Sequence, residues 1–136
     1  MKKSILLFVL LITGLISFSQ SYYKATTTEM YTYNSSNKDW ELYQKNSDMN
    51  ITVVVEDKFI TFQAKTPSMY RIYESTKEPL VVKSFKGYRY SAKDLKEETM
   101  VKIDVLAHED SQVALVSIIN YEGGYNFRFY LTKIIE

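Results

Sequence analysis

The chain has no cysteine, one histidine, two prolines, four glycines and one tryptophan in 136 residues, and each shortage removes a class of chemistry. Without cysteine there is no disulfide framework and no thiolate nucleophile, so an exported domain of this size relies on packing alone. A single histidine, His108, cannot assemble a zinc site, which draws on several His or Cys ligands. It is also the one imidazole that could activate a serine. Nearby Ser111 and Ser117 offer little: strand geometry puts Ser117 in the core layer, and His108-Glu109-Asp110 reads as a solvated loop tip. Four glycines, one of them Gly14 near the start, cannot build a phosphate-cradling loop or a dinucleotide fingerprint. No cofactor or metal is implied.

Charge of one sign is equally scarce. Seventeen basic residues face sixteen acidic ones, for a formal net charge of +1, and the lysines are scattered among acids. A nucleic-acid partner would require a basic excess or stripe, so none is expected.

Long hydrophobic runs are limited to Ile5–Ile16. Lys2 and Lys3 precede it and Ser17-Phe18-Ser19-Gln20 follows, which is the layout of a secretory signal peptide. The run falls short of the roughly 20 residues a permanent membrane span needs, and a lipid anchor of the bacterial type would need a cysteine. The expectation is a leader over 1–19, cleavage after Ser19, and a secreted or periplasmic protein with no stable membrane anchor. The remaining single domain, 20–136, has about 117 residues and a formal charge of minus one, long enough for one core.

What the chain has in quantity is 12 Tyr and 7 Phe, together with β-branched residues in strand-length runs. Met100 to Ile135 divides at His108-Glu109-Asp110-Ser111 and at Glu122-Gly123-Gly124 into three runs that read as a β-meander. Val101, Ile103 and Val105 alternate with Lys102 and Asp104. Val113 to Ile119 is apolar on both faces apart from Ser117, as in a covered central strand. Tyr125, Phe127, Phe129 and Leu131 share an inward face opposite Asn126, Arg128, Tyr130 and Thr132.

Upstream, Ala25–Tyr33 and Trp40–Tyr43 are strands around the polar turn at Asn34–Lys38. Ile51, Val53 and Val55 lead through Glu56-Asp57-Lys58 into Phe59–Ala64 as a hairpin. Tyr70–Glu74, bracketed by Pro67 and Pro79, suits an edge. Leu80–Tyr90 reads as one strand bent or closely packed at Gly87, and Ser91 with Asp94 suggests one short helical turn near 91–98.

The predicted architecture is all-β: an antiparallel meander of about eight or nine strands forming a barrel or half-barrel, with a β-sandwich as the alternative. Glu56, Asp57, Asp104, Glu109 and Asp110 could supply a glycosidase pair, but each has a duller place in a turn or on a polar strand face. Asn34-Ser35-Ser36 and Asn50-Ile51-Thr52 match the glycosylation acceptor pattern. The expected role is therefore non-enzymatic: binding a small apolar or carbohydrate ligand in the curl of the sheet. Tyr31, Tyr33, Trp40, Tyr43, Arg128 and Tyr130 are the candidate contacts. The alternative is an exported structural or protein-interaction module that meets a protein partner through an exposed strand edge or apolar patch.

Overall fold

The computed structural model describes residues 20–47, 49–109 and 113–134; the leader expected over 1–19 lies outside them. Nine strands follow one another: β1 (Gln20–Asn34), β2 (Asp39–Asn46), β3 (Ile51–Glu56), β4 (Phe59–Gln63), β5 (Ser68–Val82), β6 (Phe85–Asp94), β7 (Thr99–His108), β8 (Val113–Asn120) and β9 (Tyr125–Lys133). All belong to one antiparallel sheet in the order β2-β1-β3-β4-β5-β6-β7-β8-β9, and β9 pairs back onto β1. The result is a closed eight-stranded barrel with β2 outside the ring.

The barrel, rather than the half-barrel or the sandwich, follows from the length of β1. Its residues Tyr23–Thr32 pair with β9 along one edge. Along the other edge, Gln20–Ala25 pair with β3 and Thr28–Asn34 pair with β2. One strand thus closes the ring and still carries an outer neighbour. A register shift between Ala25 and Thr27 marks where the second edge changes partner. Both faces of β2 stay largely exposed.

An eight-stranded barrel is just wide enough for side chains to fill. Its interior is built from alternate positions, with Ile60, Ile103, Leu131, Val53 and Val116 the largest fully buried side chains. Phe127, Phe129 and Leu131 of β9 face this core as their spacing requires, and β8 is buried on both faces from Ala114 to Asn120.

Three connections at one end of the barrel share one design. The loops 35–38, 95–98 and 121–124 each hold four residues, and the last of each, Lys38, Glu98 and Gly124, has φ of 54°, 58° and 69°. Each is preceded by Asn or Asp whose side-chain oxygen accepts from the loop backbone. Asn34 Oδ1 accepts from Ser36 N at 2.9 Å, Asp94 Oδ1 from Lys96 N at 2.9 Å, and Asn120 Oδ1 from Gly123 N at 2.7 Å. Such a side chain mimics a backbone turn.

The helical turn expected near 91–98 is one of these loops. Ser91–Asp94 belong to β6, and a single helix-like bond, Glu98 N to Asp94 O at 2.8 Å, is all that remains of it. The Asp94 side chain caps a hairpin instead of starting a helix.

Leu80–Tyr90 is also two strands, not one. The chain reverses at Lys83-Ser84, with Lys83 at φ 55°, a turn built without Gly, Asn or Pro. Gly87 nevertheless does what its position suggested. A Cβ there would overlap the Val105 carbonyl oxygen and stand 2.9 Å from Leu106 Cα, so β6 and β7 approach as closely as they do because the side chain is missing.

Tyr70–Glu74, expected at or near an edge, begins inside the sheet, with Tyr70 and Arg71 paired to β4 on one side and β6 on the other, and the edge lies farther along β5. β4 pairs only with Ser68–Arg71, whereas Glu78–Val82 pair with β6 alone. Pro79, which has no N–H, lies in this half, where β5 has a neighbour on one side alone. Four residues, Glu74–Lys77, bulge out between the two halves. Thr76 Oγ1 pins them by donating to Tyr73 O (2.6 Å) and accepting from Ser91 N (2.9 Å).

Candidate functional site

The two ends of the barrel interior are filled differently. At the end carrying the three capped loops, Phe62 packs on Phe129 (ring centroids 4.5 Å apart) and on Tyr70 (5.8 Å), and Tyr125 packs on Phe127 (5.2 Å). These rings plug the lumen. Burial and the nearby Asp94 carboxylate push the Tyr70 phenol well above its usual range, so it stays neutral.

At the opposite end the interior residues are Val, Ala and tyrosines, and they leave space. A cavity of about 220 Å³ is lined by Tyr23, Tyr88, Tyr90, Val105, Ala114 and Leu131, among others. It shares Val55, Tyr90 and Val105 with a neighbouring hollow of about 290 Å³ that reaches Ser21, Glu56, Asp57 and Glu74. Together they form one trough from the apolar lumen to an acidic rim.

Strand lengths explain why the trough is there. The β3–β4 hairpin stops at Asp57-Lys58, held to β5 by Ile72 N donating to Lys58 O at 2.7 Å. The β5–β6 hairpin continues past that point to Lys83-Ser84. Above the shorter hairpin the wall has a notch, bordered by the start of β1 and the unpaired edge of β5.

Tyr90 stands at the junction of the two hollows. Burial first, and Glu74 second, raise its phenol pKa, so at neutral pH it presents an O–H donor beside the apolar floor. Tyr88 is near, at 6.2 Å between ring centroids, and Lys77 caps it with Nζ 5.0 Å from the ring centre while paired to Glu74 at 3.1 Å. The rim charges are thus partly compensated, and Lys86, which also lines the cavity, is paired with Glu109 at 3.3 Å. Such a site suits a small apolar body with a hydrogen-bonding end.

The six candidate contacts fall elsewhere, on the outer face. Tyr31, Arg128 and Tyr130 come together around Glu29, a buried carboxylate that accepts from Tyr31 OH (3.0 Å) and Tyr130 OH (2.7 Å). The Arg128 guanidinium lies over the Tyr31 ring at 5.0 Å. Burial is the first cause of the raised phenol pKa of both tyrosines and the bond to Glu29 the second; Arg128 opposes it.

Tyr33 and Trp40 are cross-strand partners whose rings meet edge-on at 5.2 Å at the plugged end. Tyr43 stands apart on β2, 69% exposed. None of the six lines the trough. Tyr23, Tyr88 and Tyr90 do: Tyr88 and Tyr90 are two apart on β6, and only barrel closure brings them to Tyr23, more than sixty residues earlier in sequence.

Of the carboxylates weighed for catalysis, Glu56 and Asp57 stand together on the rim of the trough, and Asp104 lies apart from them. Asp104 is held on the outer face by Arg89, through Nε to Oδ1 at 2.6 Å and Nη2 to Oδ2 at 2.9 Å. The His108 ring packs edge-on against Phe85 at 5.2 Å. Among the described residues no three His, Asp or Glu side chains gather as a metal site would require, and Asp110 and Ser111 lie outside them. Comparison with protein-family models, with curated proteins and with solved structures gave no match.

Proposed function

We propose that this protein is an exported, non-enzymatic binding module that takes a small, largely apolar ligand in the open mouth of its barrel. The observation that carries the reading is the unequal filling of the lumen: aromatic rings plug one end, while the other keeps a tyrosine-lined trough with an apolar inner part and an acidic rim. The ligand's apolar body would lie against Val105, Ala114 and Leu131. Its polar end would meet the phenol of Tyr90 and the rim at Ser21 and Asp57. Export rests on Lys2, Lys3 and the Ile5–Ile16 run, and is tested by N-terminal sequencing of protein recovered outside the cytoplasm, where Gln20 is the expected first residue.

Binding is tested with N-phenyl-1-naphthylamine, whose fluorescence rises in apolar cavities. Wild type should enhance it saturably, and Ala114→Leu, which fills the trough from its floor, should abolish the enhancement while circular dichroism stays unchanged. Equal enhancement in the two proteins, or none in wild type, would sink the proposal.

A second reading is favoured by the unpaired edge of Glu78–Val82, where Val81 is 63% exposed. An extended segment of a protein partner would add there as a strand. Hydrogen exchange at the amides of 78–82 that is slowed by the partner and not by a small ligand would select this reading.

A further inference from the structure

A second surface, at the opposite end of the barrel from the trough, combines exposed aromatic rings with hydrogen-bonding groups. Tyr33, Trp40 and Tyr121 form a row, with ring centroids 5.2 Å apart for the first pair and 6.3 Å for the second. Tyr121 is 60% exposed and Tyr33 45%, so these rings are not serving the core. Tyr121 also walls a groove of about 510 Å³ between the loops 95–98 and 121–124, with Ile119 and Val101 lining its apolar part.

The same groove carries polar groups. Lys102 is oriented by donating from Nζ to Ser91 Oγ at 2.8 Å. Glu98 and Glu122 add carboxylates.

We infer that this groove and the adjoining aromatic row bind a saccharide. Pyranose rings offer an apolar C–H face that stacks on Tyr and Trp, and a ring of hydroxyls that can both donate and accept. A wholly apolar ligand would desolvate the two carboxylates, and the Lys102 donors not used by Ser91, without pairing them, which is costly. A polyanion would meet two carboxylates for one lysine. Only a neutral, hydroxyl-rich ligand satisfies donors and acceptors together while covering the rings.

The surface is already shaped for this. Asn34 and Asn120 lock the two loops that carry the row. Asn34 Nδ2 and Asn37 Nδ2 both donate to Glu41, at 2.8 and 3.1 Å. Tyr33 N donates to Gly124 O at 3.0 Å, joining one loop to the other. Little ordering is left to be lost on binding. The inference stands independently of the trough, since about ten residues of β1, roughly 30 Å of strand, separate Tyr23 from Tyr33.

Trp40 is the sole tryptophan, so its fluorescence reports directly on this surface. The experiment titrates the purified protein with cellohexaose, chitohexaose, laminarihexaose and maltohexaose. At least one should shift the Trp40 emission saturably, with an affinity weakened roughly tenfold by Tyr121→Ala. Tyr121→Phe, which keeps the stacking face, should bind as wild type does, and Lys102→Ala should weaken binding without altering the fold by circular dichroism. The trough-filling Ala114→Leu should leave saccharide binding unchanged. No emission change with any of the four up to about 10 mM, an affinity far weaker than a specific site would show, overturns the inference. So does full-strength binding by Tyr121→Ala.

Discussion

Arg89→Met should destabilise the barrel substantially, although Arg89 lies on its outer face. Arg89 grips Asp104 with two charge-assisted hydrogen bonds, and Asp104 is only 6% exposed. Its opposite neighbour on β8 is Ser117, itself buried. Removing the guanidinium strands a carboxylate that water hardly reaches, a loss of about 3–5 kcal/mol for a broken buried pair. About a third of the Arg89 side chain is exposed, so solvent screening argues for the lower end, about 3 kcal/mol. At roughly 4 °C per kcal/mol for a domain of this size, the melting temperature should fall by about 12 °C. The double variant Arg89→Met/Asp104→Leu should recover most of that loss, because two apolar side chains replace a pair whose desolvation was already expensive. Urea unfolding followed by circular dichroism and by Trp40 emission gives all corners of the cycle. A cost below about 1 kcal/mol for the single variant, or a double variant no better than the worse single one, would refute the reasoning.

Alkaline titration should expose the buried phenols. Tyr31, Tyr70, Tyr90 and Tyr130 have folded pKa values above the usual 10.0, so the unfolded chain loses these protons first. Their contribution is therefore fully present below about pH 10 and fades as pH rises through the folded values; unfolding by urea at pH 8 to 12 should show this decline, and Tyr70→Phe should make it shallower. Gly87→Ala should lower stability by about 3 kcal/mol by forcing β6 away from β7, which thermal unfolding measures directly. Lys38→Gly and Glu98→Gly should each raise stability by up to about 1 kcal/mol, since both residues occupy the left-handed region that glycine enters without strain; a fall in melting temperature for both would contradict the loop geometry.

Most of the barrel was legible because alternation and turn chemistry are local. Asn34–Lys38 and Glu122-Gly123-Gly124 announce their hairpins through the residues that make them. Val101, Ile103 and Val105 declare an inward face by spacing alone. Lys83-Ser84 is hard to read because it carries no Gly, Asn or Pro and a lone Ser is a weak turn signal; its geometry is imposed by the flanking ladder from Glu78–Val82 to Phe85–Arg89. Ser91 and Asp94 imitate a capping box because a carboxylate that accepts from backbone amides looks the same in sequence whether it belongs to a helix or to a capped loop.

The position of β2 was beyond reach for a different reason. Its exclusion from the ring depends on β9 returning to β1, an event that joins opposite ends of the chain. The trough escaped for that reason as well. Aromatic density singled out Tyr31, Tyr33 and Trp40, which are close in sequence, whereas Tyr23 reaches Tyr88 and Tyr90 only through closure.

The three Asx-capped loops have one further implication. Because 35–38, 95–98 and 121–124 have equal length, end in the same backbone conformation and are fastened by the same kind of side chain, they are interchangeable parts. Transplanting Asn120–Tyr125 in place of Asn34–Asp39, or the reverse, should leave every strand in register. The plugged end of this barrel is thus a rigid plate with three standard sockets, on which recognition can be rewritten while the lumen behind it is left alone.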